Sequence, residues 1–257
     1  MAIESSASSK RLEWQLMVVH DIIVETPRVK SIRLKADGWA GHLPGQHVDI
    51  RLTAEDGYQA ERSYSIASPP GDELLALTVE RVEDGEVSPY LLDTLRAGDR
   101  LELRGPIGRY FVWTGAENNP LYLIAGGSGV TPLMSMLRHR DKAMNPGPAC
   151  LIYSSRRLQD VIYRHEIDAM ARRDPALRIV HALTREAPPD WTGHRGRVDK
   201  RLLAANCFAP AQQPAIYVCG PTAFVESIAA LLVELGFEPL SIKTEHFGPS
   251  GDSYRGR

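Results

Sequence analysis

Cysteine is scarce. The 257 residues hold only Cys150, Cys207 and Cys219, far apart and odd in number. That spacing excludes a disulfide framework or a zinc site and favours a reducing, cytoplasmic setting. It also excludes an iron–sulfur cluster within this sequence, which needs about four cysteines, several of them close together. Long apolar runs are missing too, since none approaches the ~18 residues that span a bilayer. Nor is there an excess of charge. A net charge of −2 gives no sign of a nucleic-acid partner, which would favour a basic surface. An apolar fraction of 43% and a charged fraction of 24% are ordinary for a globular chain of one large or two small domains. Residues 1–10, rich in serine and alanine without an apolar core, read as a disordered tail rather than a signal peptide.

What is present falls into two halves. Residues 11–115 carry short β-like runs at 16–24, 29–35, 47–52, 74–82 and 100–104, broken by Gly, Pro and Asp. Ile32-Arg33-Leu34-Lys35 and Leu101-Glu102-Leu103-Arg104 alternate apolar and polar residues, as antiparallel strands with one wet face do. One short helix is predicted over 89–95, and many short strands with little helix imply a small antiparallel β-barrel. Residues 116–257 read differently. Strands at 121–125, 150–153, 178–183, 216–219 and 241–244 alternate with helices at 132–139, 160–172 and 222–235, the last ending at Gly236. That alternation predicts an α/β domain with a parallel sheet and helices on both faces. The seam is expected within 114–119, a polar stretch before Pro120.

In parallel sheets ligands gather beyond the carboxyl ends of the strands. Gly126-Gly127-Ser128-Gly129-Val130-Thr131-Pro132 lies at such a place, between an apolar strand and a helix. The glycines, Gly127 among them, permit a tight turn, Thr131 is a candidate cap and Pro132 suits a first helical position. Free N–H groups there favour a pyrophosphate. A glycine-rich turn with no ligand is the rival reading, because Pro132 stands where the dinucleotide fingerprint has its third glycine. Ser154-Ser155-Arg156-Arg157 follows the next strand, where the acceptor for an adenosine ribose is found. Hydroxyls with arginine suit a 2′-phosphate, so Ser155 and Arg156 favour NADPH, with NADH possible. Arginines on a solvated helix start are the alternative. Cys219-Gly220-Pro221 ends a strand in the same crevice, where Gly220 admits a planar ring and Cys219 faces a nicotinamide or serves as small apolar filler.

In the first half, Arg62-Ser63-Tyr64-Ser65 places Arg62 and Tyr64 on one face of a strand. Arg62 offers a fork of donors to a diphosphate, Tyr64 a cover for an aromatic ring, and Ser65 a hydroxyl for its polar edge. Gly85-Glu86-Val87-Ser88-Pro89 joins a loop to the short helix, with Ser88 as a candidate cap. Alone, each of these is a surface strand or loop. Together with the second half they suggest two nucleotide cofactors face to face.

With those residues in view, the chain resembles the ferredoxin–NADP reductase family of flavoproteins. The matching pieces are Pro44-Gly45-Gln46, Arg62 to Ser65, Gly85 to Ser88, Gly105-Pro106-Ile107-Gly108, Gly126 to Pro132, Cys219-Gly220-Pro221 and Thr244-Glu245-His246-Phe247. The resemblance implies that Arg62 holds the FAD pyrophosphate, Tyr64 packs on the flavin and Ser65 approaches its N5. It implies that Gly85, Val87 and Ser88 bind the diphosphate, that Gly127 and Thr131 bind the NADPH pyrophosphate, and that Cys219 lies beside nicotinamide C4. Some relatives carry a plant-type iron–sulfur domain, absent here, and some bind FMN. Others end in an aromatic residue stacked on the flavin, whereas Phe247 is followed by Gly248-Pro249-Ser250-Gly251.

The expected activity is an NAD(P)H-dependent flavoprotein reductase taking a hydride from NADPH onto FAD. Electrons then pass to a separate protein, such as a ferredoxin or an oxygenase component. Ser65, Cys219 and Glu245 are expected to line the reaction centre, Glu245 as a proton relay or as a solvated C-terminal carboxylate. No metal site is expected. Rival readings are a broad reductase of small acceptors, an inert nucleotide-binding regulatory subunit, and a nicotinamide dehydrogenase without flavin.

Overall fold

The structure, a computed structural model, describes residues 12–35, 37–115, 119–142 and 147–248. The tail at 1–10, part of the 114–119 seam and the residues after Gly248 lie outside them. The first half builds β1 (Trp14–Thr26), β2 (Val29–Lys35), β3 (His47–Thr53), β4 (Gln59–Ser65), β5 (Leu74–Glu80) and β6 (Arg100–Ile107), with one helical turn at Tyr90–Thr94. They form a six-stranded antiparallel sheet in the order β4-β3-β6-β1-β2-β5. A bridge between Ile66 and Leu77 joins the two edges, so the sheet closes into a barrel. Alternation places Ile32, Leu34, Leu101 and Leu103 inside, where they pack with Val48, Ile50, Leu75 and Leu77.

The second half gives β7 (Leu121–Gly126), α1 (Val130–Asp141), β8 (Ala149–Arg157), α2 (Arg164–Arg173), β9 (Leu177–Glu186), β10 (His194–Arg195), α3 (Lys200–Asn206), β11 (Ala215–Pro221), α4 (Thr222–Glu234) and β12 (Ile242–Phe247). The sheet runs β10-β9-β8-β7-β11-β12, and all of its pairings are parallel. From β7 the chain moves outward to β10 and then returns to the other side of β7. The reversal leaves a crevice between β7 and β11. One face packs on α1 and α2 through Leu133, Leu137 and Ile167. The other packs on α3 and α4 through Leu203, Val225 and Ile228. At the end of α4 the Gly236 and Phe237 amides donate to Val233 and Leu232, and Gly236 takes a φ of +94°. This is a Schellman stop, as the glycine predicts.

Several boundaries differ from the sequence reading. The helix expected at 132 begins at Val130 and that expected at 160 begins at Arg164, while Asp160 lies in a separate single turn. β12 extends through Glu245 and Phe247. The two-residue β10 and the seven-residue α3 have no counterpart in the prediction.

The two halves share one apolar cluster, in which Val29, Ala67, Ala76 and Phe111 pack among residues of the parallel sheet and its helices. Polar ties cross the same boundary. Ser135 Oγ donates to Ser68 O (2.7 Å), Arg138 to Ala67 O (2.9 Å), and Tyr217 Oη to Val112 O (2.6 Å). Among the described residues no helix is long and apolar enough to cross a membrane.

Candidate functional site

At the switch between β7 and β11 the backbone approaches itself too closely for side chains. A Cβ on Gly129 would lie 2.2 Å from Cys219 O and 2.6 Å from Gly220 N, so the turn rests directly on the end of β11. Gly220, with φ +156°, has Gly126 O within 3.0 Å of its own missing Cβ. At Gly127, with φ +56°, the space is open. A tight turn seated on β11, followed by an open edge, is a shape that admits a phosphate to the N–H groups at the start of α1. Thr131 lies inside α1 rather than capping it, and Pro132 is the third helical residue, not the first, because a single turn at Gly127–Gly129 leads straight into the helix. The Thr131 hydroxyl is buried and has no hydrogen-bond partner among the described residues, so a polar ligand would satisfy it.

Ser154 and Ser155 are the buried end of β8, and Arg156 and Arg157 are its exposed last residues. The strand runs four residues further than predicted, so the arginines do not open a helix. Arg157 pairs with Glu186 of β9 (Nε–Oε2 3.2 Å).

On the barrel side, β4 and the 82–88 loop meet. Arg62 reaches Glu86 (3.5 Å) and donates to Glu61 O (2.7 Å), while Tyr58 Oη donates to Glu86 (2.8 Å). The Arg62–Glu86 pair is solvent-exposed and therefore weak, which leaves the guanidinium available to an anion. Tyr64 is half-buried against the barrel core, and burial pushes its phenol up to about 12. Ser63 faces the other way and donates to Asp49 (2.7 Å). Gly85 closes a turn onto Val82 O, and the Val87 side chain points into the barrel core. Ser88 does not cap the following turn. Its hydroxyl accepts the Val82 amide (3.0 Å) and so fixes the loop.

Ser65 is where the halves meet. Its side chain is buried, and its Oγ lies 3.4 Å from Glu245 Oε1 on β12, at the outer limit of a hydrogen bond. Glu245 is the register partner of Cys219, so Ser65, Glu245 and Cys219 form one group at the crevice. Pro221 and Phe247 are paired one turn of the pleat further on, with Phe247 packed against the shared core. Glu245 is not a solvated carboxylate. Burial pushes it up to about 7, partly offset by the Ser65 hydrogen bond. Burial and the nearby Glu245 also push the Cys219 thiol well up, so it stays a neutral thiol. Two residues enter the site to which the sequence reading gave no role, Glu86 within the Gly85 to Pro89 loop and Glu186. Only their carboxylates, at the loop apex and at a strand end, would have marked them.

The raised Glu245 has a consequence for stability. Between about pH 4.5 and 7 the unfolded chain releases this proton while the folded chain keeps it, so the contribution to stability falls as pH rises and levels off above 7. Glu245→Gln is expected to remove that fall, on the order of 2 kcal/mol. Urea midpoints at pH 5 and pH 8 check it: the variant's advantage over the parent should grow with pH.

Residues 16–112 match the model of the oxidoreductase FAD-binding domain, and residues 123–230 that of the oxidoreductase NAD-binding domain. The chain is 34% identical over 219 residues to a glycine betaine monooxygenase reductase subunit of Pseudomonas aeruginosa, covering 82% of this chain and 58% of that one. It is 32% identical over 249 residues to a flavohemoprotein of Bacillus subtilis, covering 92% and 60%. It thus spans about three fifths of the length of these relatives. Among solved structures it superposes on the FAD/NAD-binding domain of a nitric oxide dioxygenase from Vibrio cholerae with a TM-score of 0.81. That match has 26% identity and covers 91% of this chain and 99% of the other.

Proposed function

Because the chain belongs to the ferredoxin–NADP reductase-like family, with an FAD-binding domain followed by an NAD-binding domain, we propose that it is the reductase module of an electron-transfer system. It takes electrons from NADPH, or from NADH, and delivers them to a separate acceptor such as an oxygenase component or a ferredoxin. The observation that carries this reading is the meeting of Ser65, from the barrel, with Glu245 and Cys219, from the parallel sheet. A residue from each nucleotide domain lines one crevice, as face-to-face cofactors require.

Bound FAD supplies the chemistry that accepts two electrons together and releases them singly. The chain's own residues bind and orient. Arg62 holds the FAD diphosphate beside the loop of Gly85, Val87 and Ser88, with Val87 offering backbone rather than side chain. Ser63 serves this subsite indirectly, by fixing β4 through Asp49. Tyr64 covers the ring, and Phe247 shields the crevice from water. Gly127, Thr131, Gly220 and Pro221 shape the nicotinamide dinucleotide's seat, with Ser155 and Arg156 at the ribose end favouring a 2′-phosphate. Cys219 presents a neutral thiol, and Glu245 holds a proton near neutral pH and exchanges it with the Ser65 hydroxyl.

Relatives named as a monooxygenase reductase subunit and a flavohemoprotein support a partner that takes electrons one at a time. A reducing, cytoplasmic setting accords with the free thiols. The test is stoichiometry. The FAD-loaded protein should reduce two ferricyanide ions per NADPH consumed. Consumption of NADPH without ferricyanide reduction would remove the electron-splitting role.

A further inference from the structure

α1 touches both sides of the crevice. It follows directly on the turn seated on β11, where a Cβ on Gly129 would lie 2.2 Å from Cys219 O. Roughly 8 to 12 Å further along the helix, at ~1.5 Å per residue, Ser135 and Arg138 share one face. Ser135 Oγ donates to Ser68 O (2.7 Å), and Arg138 Nη1 donates to Ala67 O (2.9 Å). These carbonyls belong to the chain that leaves β4 directly after Ser65. One rigid helix therefore runs from Cys219 to the segment that carries Ser65.

Arg138 is itself held from two further sides. Its Nε and Nη2 grip Glu166 of α2 in a bidentate pair (2.8 and 2.7 Å), which aims Nη1 at Ala67. Its guanidinium lies 4.8 Å over the Tyr163 ring. Tyr163 is buried and takes a left-handed φ of +58°, which a bulky side chain adopts only when its surroundings dictate it. The Tyr163 hydroxyl bonds Thr78 of β5, which in turn bonds Ser31 of β2 (2.8 Å). The Arg138 side chain is 19% exposed, so its donors are largely shielded from competing water.

We propose that Arg138 is a positioning residue for flavin reduction: by holding Ala67 O from the frame of α1 and α2, it sets the distance of Ser65 from Glu245. The inference rests on the reading that Ser65, Glu245 and Cys219 mark the place where the two cofactors meet. Ser65 Oγ and Glu245 Oε1 are 3.4 Å apart, at the outer limit of a hydrogen bond, so a small shift of the segment after Ser65 breaks the contact. Arginine suits the task because its planar fork serves a carboxylate and a carbonyl at fixed angles, which a lysine ammonium does not.

The experiment follows flavin reduction by saturating NADPH from pH 6 to 8 in the FAD-loaded full chain. The variants are Arg138→Gln, Arg138→Lys and Ser135→Ala, each with and without Ser65→Ala. Arg138→Gln should slow reduction on the order of tenfold with flavin content unchanged. The pH at which the rate changes should rise, as in Ser65→Ala, because Glu245 loses the same hydrogen bond. Ser65 faces that carboxyl from β4, and the neutral Cys219 thiol faces it from β11. Added to Ser65→Ala, Arg138→Gln should slow nothing further. Arg138→Lys should regain part of the rate. Ser135→Ala should show a smaller loss of the same kind, and it decides the matter if Arg138→Gln sheds its flavin. Equal slowing with and without Ser65→Ala would place the action of Arg138 elsewhere and overturn the role. So would unchanged rates in Arg138→Gln and Ser135→Ala beside a slowed Ser65→Ala. A Ser65→Ala variant with neither a slower rate nor a shifted pH would instead remove the meeting point itself, and the inference with it.

Discussion

Gly129→Ala should cost about 3 kcal/mol or more of stability and weaken nicotinamide dinucleotide binding at the same time. The added methyl would meet Cys219 O at 2.2 Å, its carbonyl carbon at 2.4 Å and Gly220 N at 2.6 Å. All three are backbone atoms, so no rotamer change relieves the contact. The turn must lift from β11, and the N–H groups at the start of α1 move with it. Backbone conformation adds nothing here, since Gly129 has an ordinary helical φ of −60°. Gly127→Ala is the matched control. Its φ is +56° but its Cβ would meet no protein atom, so only the left-handed penalty of about 1 kcal/mol bears on its stability. Urea denaturation of both variants, with dinucleotide binding by calorimetry, separates collision from conformation. Equal, small losses in the two variants would mean that the turn is not seated on β11.

Ser65→Ala should slow flavin reduction by NADPH on the order of 100-fold while the protein keeps its flavin. The hydroxyl lies 3.4 Å from Glu245 Oε1 across the boundary between the halves, and contacts of this kind shorten when ligands close the site. Removing it leaves Arg62, Tyr64 and the Gly85 loop untouched, so binding of the flavin has no reason to fall. Glu245 also loses the one hydrogen bond that lowers its proton affinity, so it should titrate higher. The pH at which the reduction rate changes should rise with it. Stopped-flow rates across pH 6 to 8, beside flavin content, read both effects. Loss of flavin in proportion to rate would assign Ser65 to binding alone.

The barrel was legible because Ile32-Arg33-Leu34-Lys35 and Leu101 to Arg104 alternate, and alternation is a local signal of a half-wet strand. The parallel sheet was legible for another reason: Leu121 to Ala125 is apolar throughout and ends in glycine. What the sequence concealed was the polar end of each element. β8 continues to Arg157 because Arg157 pairs with Glu186 of β9, and nothing in Ser-Ser-Arg-Arg itself indicates a strand. α3 is short, and its one clear signal is Asp199, whose carboxylate accepts the Leu202 amide (2.7 Å). Glu245 shows the deeper limit. A carboxylate near the end of a chain reads as solvated, whereas this one is partly buried and is met across the boundary by Ser65 of the barrel. Likewise the neutral state of Cys219 follows first from its burial in the sheet and then from its register partner on β12, 26 residues later.

The most direct measurement is an anaerobic titration of the FAD-loaded protein with NADPH and then with NADH, following the visible flavin band. The band should bleach at one equivalent of either nucleotide, faster with NADPH. A flavin band that persists with both nucleotides would contradict a reductase in which the barrel and the parallel sheet hold their cofactors face to face.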